Sequence, residues 1–142
     1  MPQISVHVST KGPLFKPGSS RLVALAAERA VQELMELGEQ RLDETLRPRP
    51  ACVFLSVSEA KKGQASTGNY RRNVGGKRTG LEALITDGGV VYGPWLEGTG
   101  DRNATTRFKG YFSFRRTAQW LQGQSRRVME WHVSRLAKEL GA

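Results

Sequence analysis

The chain has 142 residues, of which 38% are hydrophobic and 8% aromatic, and it carries a formal net charge of +9. That length suits one domain with a core of its own, and the aromatic content argues against a disordered chain. One cysteine, Cys52, excludes an intramolecular disulfide, and no apolar run approaches the roughly 20 residues of a membrane-spanning helix.

Residues 4–9 alternate apolar and polar side chains, the pattern of a half-buried strand, with His7 on the polar side and therefore at the surface. Gly12-Pro13 and Lys16-Pro17-Gly18 then break the chain, and Ser19 or Ser20 is placed to cap the element that follows. A long helix is expected from about 20 to 46. Val23, Ala27, Val31, Leu34, Gly38 and Leu42 recur every three or four residues and make one continuous face. Gly38 weakens such a helix by about 1 kcal/mol relative to alanine, a loss that close packing against a sheet would offset. Arg47-Pro48-Arg49-Pro50 ends it, since residues before proline avoid the helical basin.

Residues 51–58, rich in Val, Phe and Leu, read as a central strand, which makes Cys52 a buried and unreactive thiol. Residues 61–68 read as a loop and 69–74 as a short edge strand, whose cations discourage pairing with other chains. Residues 75–80, Gly-Gly-Lys-Arg-Thr-Gly, read as a turn and lack the spacing of a phosphate-binding loop. The next segments, 81–86 and 90–92, flank Asp87-Gly88-Gly89. They read as a hairpin, because Asp-Gly and Gly-Gly supply the positive-φ positions of tight turns. A second long helix is expected from Ser113 to about Leu140, with Phe114, Ala118, Leu121, Val128, Leu136 and Leu140 on its apolar stripe and Trp120 and Trp131 beside it. The resulting fold class is α+β: a mixed or mainly antiparallel sheet of about four strands packed with two long helices. It forms a single domain over 1–142, with flexible loops at about 9–18, 60–79 and 99–112.

The charge is unevenly spread. Residues 1–59 are neutral, 60–79 sum to +6, 80–100 to −3 and 101–127 to +6. Two basic segments thus bracket an acidic one, a pattern suited to a polyanion or to a charge-complementary protein neighbour. The first carries Lys61, Lys62, Arg71, Arg72, Lys77 and Arg78, which are candidates for contact with nucleic acid. For Arg71 and Arg72 the edge-strand role competes with that reading.

Chemistry has little to build on. Hydrolytic catalysis needs a nucleophile with a base in reach, and the two histidines and the carboxylates Glu82, Asp87 and Glu97 suggest neither that nor a metal site. The expectation is a protein that is not an enzyme and has no cofactor. Residues 92–114 are instead dense in aromatics around a Glu-Gly-Thr-Gly turn and a run of cations, the composition of a docking surface. The protein-interface candidates are Tyr92, Trp95, Glu97, Arg102, Phe108, Tyr111, Phe112, Phe114 and Arg115, with Trp120 and Trp131 on the following helix. Glu97 has two readings: it accepts from amides of the glycine turn or pairs with Arg102 or Arg107, or it is simply exposed to solvent.

The pattern Tyr-x-x-x-x-Glu-Gly-Thr, here Tyr92, Glu97, Gly98 and Thr99, is followed by Phe112, Phe114 and Arg115 leading into the last helix. This resembles the neck or tail-completion (head–tail joining) proteins of long-tailed double-stranded DNA bacteriophages. The resemblance spans about 18–140 and is sharpest over 92–116; a longer loop at 101–110 and the segment Gly93-Pro94-Trp95 depart from it. It implies a structural virion subunit made in the host bacterial cytoplasm. Copies of it would form a ring, hexameric by that resemblance, between the head-side connector or stopper and the tail-tube or terminator proteins. Packaged DNA would pass through the ring with non-specific contact, and no membrane is involved. Two further readings stand beside this one: a tail-terminator ring capping the tail tube, and a basic nucleic-acid-binding protein in which Phe108, Tyr111 and Phe112 interleave with cations to stack bases.

Overall fold

The computed structural model describes residues 1–9, 20–47 and 68–140. Among them are three strands and five helices: β1 (Gln3–His7), α1 (Ser20–Thr45), α2 (Asn69–Asn73), β2 (Gly75–Thr79), β3 (Glu82–Thr86), α3 (Gly93–Glu97), α4 (Arg102–Thr106) and α5 (Ser113–Glu139). The strands form one antiparallel sheet in the order β1-β3-β2, with Ile4 and Gly76 both opposite Ile85. The fold is mixed α+β, with two long helices as expected. The described residues hold three strands, and the strand expected at 51–58, with Cys52, lies outside them, as do Lys61, Lys62 and the prolines expected to end the first helix.

Period-two alternation gives the sheet two unlike faces. Ile4, Val6, Ala83 and Ile85 face the helices, while Ser5, His7, Lys77, Glu82 and Leu84 face outward. On the outer face His7 Nδ1 lies 3.3 Å from Glu82. The core lies between the sheet and α1, with α5 packed along α1. Its largest fully buried side chains include Leu42, Ile85, Val31 and Val128. Gly38 is where this packing is tightest: a Cβ there would stand 2.6 Å from Ile85 Cδ1 and 2.9 Å from Leu121 Cδ1. The glycine that weakens α1 as a helix thus lets α1 reach both the sheet and α5.

Three expectations need correction. The cationic segment 69–74 is helical rather than an edge strand: α2 buries Tyr70, and Asn73 Nδ2 donates to the Asn69 carbonyl at 2.8 Å. Residues 75–79 form strand β2 rather than a turn. Gly76 is needed there because Met35 of α1 occupies the space a Cβ would take, and Arg78 lies back over α1, within 3.4 Å of Glu28. The tight hairpin therefore falls at Gly80-Leu81, one connection earlier than its glycine content suggested. After Asp87-Gly88-Gly89 the chain enters a helix instead of a return strand.

The long helices match their patterns, with one exception on α5. Its buried stripe runs through Phe114, Thr117, Leu121, Val128 and His132, while Leu140 is exposed. His132, a polar residue on that stripe, is 7% exposed, and its Nε2 sits 2.8 Å from Glu33 Oε2 of α1.

Candidate functional site

The segment that stood out in the sequence is folded as a continuous unit on the N-terminal end of α5. It begins at a turn in which Gly88 (φ 68°) and Gly89 (φ 76°) adopt the left-handed conformation and Asp87 Oδ1 accepts from the Gly89 amide at 3.0 Å. Pro94 stands in the first turn of α3, where its fixed φ suits a helix start. The helix stops at Gly98 (φ 91°), and the Pro94 carbonyl collects the amides of Gly98, Thr99 and Gly100 at 2.9, 2.9 and 3.1 Å.

The chain then runs through α4 and returns across the end of α3, where the Tyr111 amide donates to the Leu96 carbonyl at 2.7 Å. The crossing is glycine on glycine. A side chain on Gly98 would run into the Lys109 carbonyl, and one on Gly110 (φ 91°) into the Gly98 backbone. Asn103 ties the layers together, donating to the Trp95 carbonyl at 2.9 Å and the Phe108 carbonyl at 2.7 Å while accepting from the Gly100 amide at 3.0 Å. Sequence reasoning passed Asn103 over. Its position three residues beyond Gly100, where an Asx side chain can satisfy turn amides, was the available signal.

Glu97 is the hinge of the unit. It is 5% exposed, and its carboxylate accepts the amides of Phe114 (3.0 Å) and Arg115 (2.8 Å) in the first turn of α5. Neither sequence reading of Glu97 is right: the amides come from the last helix rather than the glycine turn, and the group is buried. The reason is local. The residue at the N-cap of α5 is Phe112, in the left-handed conformation (φ 53°), and it offers no side-chain acceptor. The free amides of the first turn need an anion, and Glu97 supplies it from another element.

The aromatics are spent largely on one another. Trp95 and Phe108 have ring centroids 4.6 Å apart, and Phe108 and Tyr111 are 5.1 Å apart. Trp95 Nε1 donates to Thr106 at 3.0 Å. Tyr92 lies 6.1 Å from Tyr70 and accepts from Asn69 Nδ2 at 2.8 Å. Phe114 is core. The half-buried rings pack on one another along residues 92–111, the stretch expected to dock and, over 99–112, to be a flexible loop. Trp120 packs half-buried under Arg41, 5.4 Å from its ring centroid. Trp131 is 53% exposed, roughly 25 Å along α5 from Phe114, beside a groove of about 610 Å³ that also touches Leu25, His132 and Arg135. It is not part of the 92–116 unit.

What the unit shows to solvent is positive charge. Arg102, Arg107, Lys109, Arg115 and Arg116 are all exposed, against Asp101 alone among exposed acids of residues 97–116. None of the five takes part in an ion pair among the described residues; Arg115 lies over the Phe112 ring at 5.9 Å. The other basic segment differs. Arg71 forms a two-pronged contact with Asp43 at 2.5 and 2.7 Å, and its hydrogen bond lowers the Asp43 pKa below the usual carboxylate range. Arg78 reaches Gln32, Glu28 and the Gly80 carbonyl. Lys77 is exposed on the outer sheet face, and Arg72 is exposed on α2. Two of the expected nucleic-acid contacts therefore serve as braces between α1 and the segment 71–78.

Beneath the unit lies a polar oddity. Asp87 is fully buried and Tyr70 nearly so, and neither Asp87 Oδ2 nor the Tyr70 hydroxyl meets a hydrogen-bond partner among the described residues. Burial pushes the Asp87 pKa up. Burial foremost, with the Asp87 and Glu97 charges adding to it, also pushes Tyr70 up. Gly93 must be glycine here, because a Cβ would strike Asp87 Oδ2. No group of three or more His, Cys, Asp or Glu side chains able to hold a metal ion occurs among the described residues, and no helix among them is long and apolar enough to cross a membrane. No protein-family model, curated protein or solved structure matches the chain.

Proposed function

We propose that this chain is a structural virion subunit that forms a ring at the head–tail interface of a long-tailed bacteriophage, joining the connector to the tail tube around the DNA channel. The observation that carries the reading is the Glu97 clamp. The glutamate of the Tyr-x-x-x-x-Glu-Gly-Thr pattern has a defined task, closing the N-terminus of α5, so the residues that carry the resemblance act together as one built element. That element projects a cationic surface from a frame of two long helices and a small sheet, as a subunit that docks on neighbours and encircles a polyanion requires. Its neighbours are further copies of itself, six to a ring, and the head-side and tail-side proteins.

The test is the composition and form of phage particles from producing cells. Intact particles should contain this chain in a few copies. Cells lacking it should accumulate tailless heads and free tails, and resupplying the chain should join them. Particles that are complete and infectious without it would overturn the proposal. Trp95→Ala and Phe114→Ala are poor probes of docking, since both remove packing that holds the unit together.

A further inference from the structure

Three features of the 102–116 surface point the same way. The first is its isolation: five exposed cations fall within 102–116, none of them paired to a carboxylate among the described residues, while Arg71 and Arg78 are tied to α1. The second is their position. Arg115 and Arg116 occupy the first turn of a 27-residue helix, the end where the helix dipole disfavours positive charge, and Glu97, the anion held against that turn, is buried and engaged with backbone amides. The third is Arg107, which with Phe112 is one of two non-glycine residues of positive φ among the described residues. It ends α4 at φ 56°, where glycine or asparagine is the easier choice. Its side chain makes no hydrogen bond or ion pair among the described residues. An arrangement that costs the folded chain at three points is retained for what it meets outside.

The surface also limits what that is. A membrane-binding face needs exposed apolar anchors, and a single-strand binder needs exposed rings on which bases stack. Here Trp95, Phe108 and Tyr111 are half-buried and packed on one another, and the exposed large hydrophobics among the described residues lie outside 102–116: Val91, 96% exposed, stands alone at the start of the unit, and the others, Trp131 and Leu22 among them, are farther off in the chain. Exposed cations beside rings that are packed and half-buried, Phe112 under Arg115 included, fit a phosphate backbone whose bases stay stacked.

We propose that Arg102, Arg107, Lys109, Arg115 and Arg116 form the face this protein lays against the phosphodiester backbone of duplex DNA, without reading its sequence. The Arg71–Arg78 segment braces α1 instead. In taking packaged DNA as the physiological partner this rests on the assembly reading; the phosphate-binding face does not.

The experiment compares three full-length proteins by fluorescence anisotropy on a duplex oligonucleotide across a salt series: the wild type, the triple variant Arg102→Gln, Arg107→Gln, Arg116→Gln, and a control triple variant Arg126→Gln, Arg127→Gln, Lys138→Gln of equal charge. Circular dichroism establishes that each is folded. The face variant should bind at least about tenfold more weakly at low salt, with a salt slope shallower by roughly 0.9 for each phosphate it no longer neutralises, while the control stays near wild type. Equal weakening in both triples would mean that net charge alone binds, and would overturn the proposal. So would the absence of binding by the wild type, or tighter binding to single strands or to vesicles rich in anionic phospholipid. The two readings fail separately. A DNA-binding chain never found in particles sinks the assembly reading and leaves the face standing; a particle-borne chain indifferent to the face triple does the reverse.

Discussion

Glu97 gives the clearest single-residue consequence. Two amides of α5 end on its buried carboxylate, and hydrogen bonds to charged groups contribute about 1.5–3 kcal/mol each when both partners are desolvated, while an ordinary cap contributes about 1. Glu97→Ala should therefore cost about 2–3 kcal/mol and lower the thermal midpoint by roughly 5–10 °C. Glu97→Gln, which keeps an acceptor, should cost less; calorimetry or circular dichroism melts decide it. Asp87 carries a pH dependence whose sign follows from its raised pKa. The fold prefers the protonated carboxyl, so its contribution is fully present below the unfolded value of about 3.9 and is lost as pH rises through the folded value. Asp87→Asn keeps an acceptor for Gly89 and removes the charge, so it should gain on the wild type as pH climbs from about 4 to about 7 in parallel denaturant titrations. Tyr70→Phe should be neutral or stabilising, because the hydroxyl it deletes is buried without a partner among the described residues. A loss of more than about 1 kcal/mol would show that the hydroxyl is in fact engaged.

Among the elements, the two long helices could be read from the sequence and the sheet only in part. Helical periodicity survives single exceptions, so the stripe from Val23 to Leu42 and the one through Phe114, Leu121 and Val128 were visible. His132 and Thr117 were not, because their polar character hides their position on that same stripe, and the partner of His132 is 99 residues away. Strand β2 was invisible for a similar reason. Its Gly-Gly-Lys-Arg sequence looks like a turn until Met35 is seen against Gly76 and Arg78 against Glu28, and both partners lie on another element. The aromatic unit was legible as a place but not as a geometry, since ring–ring packing and the Glu97 cap are tertiary facts. The α1–α5 contact itself can be tested at Leu121, which is 5% exposed and presses toward Gly38. Leu121→Ala should cost about 2–5 kcal/mol in chemical denaturation, and a value under about 1 would mean that the helices close over the gap.

At the scale of the whole molecule, charge is sorted rather than scattered. The carboxylates of α1 are largely occupied by internal partners, including Arg71, Arg78 and His132, whereas the five exposed cations of 102–116 have no ion-pair partner among the described residues. A ligand that binds the folded state stabilises it by mass action, by about 2.7 kcal/mol at a hundredfold excess over Kd. Short duplex DNA should therefore raise the melting temperature of the wild type and raise that of the Arg102, Arg107, Arg116 triple variant, at the same DNA concentration, by about half as much or less, as differential scanning fluorimetry would show.

The glycine-on-glycine crossing at Gly98 and Gly110 bears on how quickly such a surface works. Two backbones pressed together without side chains leave the tip little freedom to give up on contact, so the ordering cost is met when the chain folds rather than when it docks. Encounter should then be governed by long-range attraction. Rising ionic strength would slow capture far more than it speeds release, and an alanine at either glycine would turn a fast, rigid latch into a slow one that must first find its shape.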